Sequence, residues 1–269
     1  MRRELGAAGA IAAAGLAWGW FEAGAVRLER LDVPVPGLAP ELDGLRIAHL
    51  SDFHLGVPSR GGVAVRRAVD WVEAIRPDLT AISGDLVSRP RGEPILRELL
   101  PRLPRCYAVL GNHDLAESRD PFAVPTPLED LSPATLLKDE AATVELRGKT
   151  VQIVGVDPLT FGLRQSRPET LADPDADLRV LLCHFPDVIE QLPDGAFHLV
   201  LAGHLHAGQI VVPLPRRRLR LSHLREPHVH GLYTGPPAVL HVSAGLGTTF
   251  VPFRFFARPE ATDLVLRAA

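Results

Sequence analysis

With 269 residues, 46% of them hydrophobic and 23% charged, the chain has the size and composition of one large folded domain or two small ones. Disorder and collagen-like fibre are excluded by that balance, and a formal net charge of -3 argues against a general nucleic-acid binder. Among 29 basic residues only Lys138 and Lys149 are lysines, a compositional bias rather than a functional signal. Cys106 and Cys183 lie inside the apolar runs CYAVL and VLLCHF and read as small buried hydrophobes.

In chain order, Arg2 and Arg3 precede an uncharged stretch, Leu5 to Phe21, that ends in Trp18, Trp20 and Phe21. Its length sits at the lower limit of a membrane-spanning helix, about 17–25 residues, and exceeds an ordinary signal-peptide core. Residues 1–25 are therefore expected to be a membrane anchor or export signal. A cleavage-type sequence stands at Ala23-Gly24-Ala25. The leading arginines place the remainder on the extracytoplasmic side. Residues 26–44 form a proline-rich connector, suited to an extended linker or an edge strand.

Residues 45–269 form the main domain. Leu45–Leu50, Leu79–Ser83 and Tyr107–Leu110 are short apolar runs expected to be strands. Helical spacing over Val63–Ile75, closed by Pro77, and over Ile95–Leu100 fills the gaps. This alternation predicts parallel βαβ units. Thr143–Leu146 and Val151–Val156 flank Arg147-Gly148-Lys149 as a hairpin, and Val180–Cys183, Leu199–Ala202, Val239–Val242 and Leu264–Leu266 are further strands. Ser132–Leu137 and Pro158–Asp177, for which the sequence supplies no physical account, are candidate specificity segments.

Five of these runs end in polar clusters: Asp52-x-His54, Gly84-Asp85, Gly111-Asn112-His113-Asp114, Cys183-His184 and Gly203-His204-Leu205-His206. Open α/β sheets place ligands at the carboxyl ends of strands, so the clusters are expected to share one site. In extended backbone, residues two apart point the same way, which aims Asp52 with His54 and His204 with His206. Glycines before Asp85, Asn112 and His204 let the chain turn off each strand. Carboxylate, amide and imidazole donors without thiolate suit Mn²⁺, Fe or Zn²⁺. Seven donors are too many for one such ion but natural for two that share a carboxylate.

The series SDFHLG, SGDLV, LGNHD, CHFPD and AGHLHAGQ resembles the calcineurin-like metallophosphoesterases over about Leu45 to Gly245. The resemblance implies a four-layer α/β/β/α sandwich of two mixed sheets. It implies that Asp52, His54 and His206 hold a first metal, that Asn112, His184 and His204 hold a second, and that Asp85 bridges them. His113 then serves the leaving group, Asp114 supports that histidine, and a metal-bridging hydroxide attacks phosphorus in line. Both divalent ions are expected to be Mn²⁺, with Zn²⁺ or Fe as alternatives.

HLHAGQ, Gly231-Leu232-Tyr233, SAGLGTT and Pro259-Glu260 are similar to the membrane-associated bacterial branch of that superfamily. Ala207 and Leu205 stand where that branch usually has glycine and threonine. By kinship the branch is linked to UDP-2,3-diacylglucosamine hydrolase of lipid A biosynthesis. The expected substrate is thus a lipid- or nucleotide-linked phosphodiester or pyrophosphate. The alternatives are a soluble-substrate phosphodiesterase or monoesterase, and a non-catalytic metal-binding scaffold. No nucleic-acid partner is expected.

Outside the motifs, His49, His198 and His241 read as core. His223, His228 and His230 read as surface loop or pocket mouth. Arg216, Arg217, Arg218, Arg220 and Arg225 read as a solvated face, or as a holder of an anionic headgroup. Gln209 reads as pocket-lining or structural.

Overall fold

The short apolar runs become two sheets packed face to face. The computed structural model describes residues 2–115, 118–215 and 217–269. The chain opens with helix α1 (Arg2–Glu22), then strand β1 (Arg27–Val35), β2 (Arg46–Leu50), α2 (Gly61–Ile75), β3 (Leu79–Ser83), α3 (Glu93–Leu99), β4 (Cys106–Val109) and β5 (Thr135–Leu136). There follow β6 (Glu140–Leu146), β7 (Lys149–Gly155), the short α4 (Pro158–Gly162), β8 (Leu178–Leu182) and β9 (Leu199–Ala202). The chain closes with β10 (Val211–Leu214), β11 (Arg217–Arg220), β12 (Gly231–Tyr233), β13 (Val239–Val242) and β14 (Glu260–Ala268).

The first sheet has the order β1-β14-β2-β3-β4-β5 and the second β12-β13-β9-β8-β7-β6, both mixing parallel and antiparallel pairs. Period-two alternation builds the layers. Ile47, Leu79 and Ala81 face Val180, Leu182 and Leu201 between the sheets. Ala48, Leu50 and Ile82 point outward onto α2 and α3. In α2, the buried Val65, Val69 and Val72 recur at helical spacing, each contributing roughly 1.5–3 kcal/mol by leaving water. Leu181 and Val200 turn to the other outer face, covered by α4 and a 3₁₀ turn over Pro186–Gln191. The four layers of the expected α/β/β/α sandwich are all present, the last one thin.

The expected hairpin forms, with Leu146 opposite Lys149 and the turn residues Arg147 and Gly148 at φ 54° and 73°, the left-handed backbone of a two-residue hairpin turn. The proline-rich segment takes the edge-strand alternative, since β1 pairs in parallel with β14, from Arg27 against Glu260 to Val35 against Ala268. Of the two stretches without a sequence signal, Ser132–Leu137 supplies β5, and 158–177 supplies α4 and a 3₁₀ turn. Both cysteines are buried free thiols.

The N-terminal stretch is helical. Helix α1 forms over 21 residues, yet no helix among the described residues is long and apolar enough to cross a membrane. Eleven of the 17 residues from Leu5 to Phe21 are alanine or glycine, which carry too little apolar surface. The end of α1 is instead docked on the domain. The Arg254 amide donates to Gly19 O at 3.1 Å, and the Ala257 amide donates to the buried Glu22 carboxylate at 2.8 Å. Ile11, Leu16, Trp18, Trp20 and Phe21 remain exposed.

Candidate metal centre

Because β2, β3 and β4 run parallel, as do β8 and β9, the loops after their carboxyl ends deliver the predicted donors to one place. His54 Nε2 lies 3.1 Å from His206 Nε2, and His206 Nε2 lies 3.3 Å from Asp52 Oδ1. A second group forms beside it, with His184 Nε2 3.2 Å from Asn112 Oδ1 and 3.1 Å from His204 Nδ1. Asp85 stands between the groups, its Oδ2 3.5 Å from His54 Nε2 and 3.3 Å from His184 Nε2. The donor atoms of Asp52, His54 and His206 all fall within 4.8 Å of one another, as do those of Asp85, His184 and His204.

The backbone reaches this arrangement by a different route from the extended chain expected of Asp-x-His and His-x-His. Asp52, His54, Asp85, His204 and His206 have φ of 52°, 44°, 55°, 72° and 49°. Left-handed backbone at a non-glycine residue costs of order 1–3 kcal/mol, so the site is bought with strain that the surrounding sheets sustain. The glycines also divide their work. Gly84 turns the chain at φ 97°, whereas Gly111 and Gly203 allow close approach. A Cβ on Gly111 would meet the Asp85 carboxylate, and one on Gly203 would meet Ser51 and Asp52.

Outer partners fix the rings. His184 Nδ1 donates to Ser83 O at 2.8 Å, which turns Nε2 toward the site. His54 Nδ1 pairs with Ser88 Oγ at 2.8 Å. The His204 amide donates to Asp52, and the His113 amide donates to Asp85 Oδ1 at 2.9 Å. The His113 ring lies edge-on to His54, with centroids 4.6 Å apart. Its Nε2 is 3.0 Å from Ser118 Oγ, and its buried Nδ1 has no partner among the described residues. Asp114, read as a support for that ring, accepts backbone N–H groups of Leu86, Val87 and Gly111 at 2.9 Å and so ties the loop after β3 to the loop after β4. Burial, with the Asp85 charge added, pushes its carboxyl up to about 7.

The donors fit divalent cations. They are imidazole nitrogens and carboxylate oxygens that lie within 4.8 Å of one another in each group, the nitrogen and oxygen donors that such ions take. A family model described as calcineurin-like phosphoesterase matches residues 45–208, more than half of the chain and every residue of both donor groups. The chain belongs to the calcineurin-like phosphoesterase family. It is a metal-dependent phosphoesterase.

Among its relatives, the metallophosphoesterase YkoQ of Bacillus subtilis is 28% identical over 244 residues, 88% of this chain and 89% of that protein. A zebrafish transmembrane protein with a metallophosphoesterase domain is 33% identical over 262 residues, and there the match spans 57% of the relative. The UDP-2,3-diacylglucosamine pyrophosphatase LpxG of Chlamydia trachomatis is 28% identical over 312 residues, 93% of each chain.

Without metal, the phosphoesterase centre holds a proton. Burial lowers the His184 pKa, but the Asp85 and Asp52 carboxylates outweigh it and raise the imidazole to about 9. Asp85, opposed by burial but facing His184, stays well below the usual carboxylate range. A ligating imidazole must be neutral, so if His184 takes a metal, loading near neutral pH is expected to release its proton. Apparent affinity then rises about tenfold per pH unit until pH reaches about 9. Calorimetric titrations in buffers of different ionisation enthalpy measure this directly, and no dependence on the buffer would refute it.

Several residues that build the site carry no sequence signal. Arg254 is fully buried, and its guanidinium donates to Gly247 O at 2.7 Å, to Ala244 O at 2.9 Å and to Ala257 O at 3.0 Å, with Nη2 3.1 Å from His206 Nδ1. Asp120 accepts from the Thr249 hydroxyl and the Phe250 amide, both at 2.9 Å, and Thr249 reaches toward His113. Gln209 exchanges two hydrogen bonds with the Thr249 backbone and also lines the cavity beside His206, so both of its readings hold. His49, read as core, pairs with His241 at 2.8 Å and with Ser83 at 2.9 Å behind the site. His223 stands at the mouth, 5.9 Å from the His204 ring, while His230 contacts Glu260 and His228 contacts Tyr233.

Proposed function

We propose that the chain hydrolyses a phosphodiester or pyrophosphate bond in a lipid- or nucleotide-linked substrate of the UDP-2,3-diacylglucosamine type, using two divalent ions, Mn²⁺ foremost. The carrying observation is the position of Asp85 Oδ2, 3.5 Å from the nearest nitrogen of one donor group and 3.3 Å from that of the other. Asp52, His54 and His206 would hold one ion, Asn112, His184 and His204 would hold the other, and Asp85 would serve both. Cations bound there supply Lewis-acid polarisation of the phosphate and an activated water. His113, anchored through its amide to Asp85, is placed to give a proton to the leaving oxygen.

A lipid-linked substrate is supported by the surroundings. A cavity of about 430 Å³ opens beside His206, walled by Leu205, Ile210, Leu221, Phe250 and Val251, room for an apolar chain. LpxG, matched over 93% of its length, bears the name of a UDP-2,3-diacylglucosamine pyrophosphatase. Membrane association through residues 5–21, with the catalytic domain on the extracytoplasmic side, belongs to the same reading. The exposed Trp18, Trp20 and Phe21 support it, since tryptophan settles at headgroup level.

Purified protein with Mn²⁺ is expected to release nucleoside monophosphate from a nucleoside diphosphate-linked diacyl sugar, and to do so faster than from its deacylated counterpart. Preference for the deacylated compound would favour a soluble-substrate phosphoesterase. No turnover of any phosphoester by fully metal-loaded protein would leave the scaffold reading.

A further inference from the structure

A second cavity, of about 630 Å³, lies between the last turns of α1, the β10–β11 hairpin and the segment that leads into β14. Its volume is that of an ordinary ligand site. Arg27, Arg218, Arg220 and Arg258 stand in its wall, together with Trp18 and Phe256. Glu22 is the carboxylate among its lining residues, and it is committed to the Ala257 amide. Glu260, just behind, is committed to Arg27 and His230. Arg218, Arg220 and Arg258 thus have no carboxylate partner among the described residues. Their bonds run to backbone carbonyls, from Arg218 to Phe256 O, from Arg220 to Glu226 O and from Arg258 to Ala25 O. Each keeps guanidinium N–H groups to spare.

Several uncompensated guanidinium groups around one cavity repel one another, and an anion relieves that repulsion. The planar fork of arginine matches phosphate oxygens in pairs. Trp18 and Phe256, half exposed at 51% and 47%, give the same cavity an apolar rim. Ala207 also lines it, one residue beyond His206, so the cavity adjoins the metal centre without sharing its donors.

We propose that this cavity is a phosphate-recognition site, in which Arg218, Arg220 and Arg258 hold the phosphate of a ligand whose apolar part rests on Trp18 and Phe256. Arg216, part of the same basic run in sequence, lies outside the described residues and takes no part in the argument. An anionic phospholipid headgroup and phosphate in solution offer the same chemistry, and the experiment separates them.

Metal-stripped full-length protein is tested against inorganic phosphate by ³¹P line broadening, and against phosphatidylcholine vesicles with and without phosphatidylglycerol by co-sedimentation. Removing the metal keeps the donor clusters from holding phosphate, so failure here is distinct from failure of the hydrolytic reading. The variant combines Arg218→Gln, Arg220→Gln and Arg258→Gln. All three side chains are exposed or half-buried, and a melting curve that superimposes on the wild type's confirms the fold. Arg218→Gln alone is the second, milder variant. The wild type is expected to prefer phosphatidylglycerol vesicles and to lose about tenfold or more of that binding in the triple variant. Loss confined to the vesicles assigns a headgroup, and loss confined to inorganic phosphate assigns a soluble ligand. Binding of both probes unchanged in the triple variant overturns the proposal. So does a wild type that binds neither, or that binds charged and neutral vesicles equally.

Discussion

His113→Asn is expected to lower kcat by about 10²–10⁴-fold on a substrate whose leaving group is a basic alkoxide or phosphate, the span that one positioned acid ordinarily contributes. The same variant should lose far less on a p-nitrophenyl ester, because p-nitrophenolate departs without a proton. The geometry behind this is specific. The His113 amide is tied to Asp85 Oδ1, its ring packs edge-on to His54, and Ser118 and Thr249 bound its Nε2 at 3.0 and 3.5 Å. Asparagine keeps the backbone tie but cannot deliver the proton. Steady-state kinetics on the two substrates at saturating Mn²⁺ give the comparison. Equal losses on both would mean that His113 acts by holding its neighbours in place rather than as an acid.

The largest stability effect is expected at Arg254. Arg254→Met should reduce folding free energy by about 3–5 kcal/mol, the usual cost of removing one partner from a buried charged set, because the carbonyls that accept from it lose their donor. Those carbonyls belong to the loop at Ala244–Gly247 and to Ala257, and the same guanidinium reaches His206. Metal affinity should therefore fall along with stability. Arg254→Lys should recover little, since a single ammonium cannot span acceptors spread around a planar fork. Urea unfolding of metal-free protein measures the first effect and manganese titration the second. An unfolding midpoint unchanged in Arg254→Met would contradict this account of the residue.

Much of this was legible in the sequence, for reasons that differ by element. Leu79–Ser83, Leu199–Ala202 and Val239–Val242 are strands over the expected residues because strands buried on both faces are written as unbroken apolar runs. The donors were legible because each follows such a run directly. The left-handed backbone at Asp52 or His206 was not, since nothing in the residue type forces it; the surrounding loops do. Arg254 was hidden in VPFRFF, where one basic residue among aromatics has no spacing to read. The pairing of β1 with β14 joins residues more than 200 positions apart, beyond any local pattern. The helix over the N-terminal stretch follows from its length and composition, but length alone does not weigh how little apolar surface its alanines and glycines carry.

Manganese stoichiometry is the most direct measurement of whether two donor groups share Asp85. Metal-stripped wild type is expected to take up two ions per chain, with phosphodiesterase activity appearing as the second binds. Asp85→Asn is expected to bind both more weakly and to lose activity, while its melting temperature stays near that of the metal-free wild type. A wild type that is fully active with one ion, or an Asp85→Asn that binds two ions and turns over normally, would contradict the bridged centre.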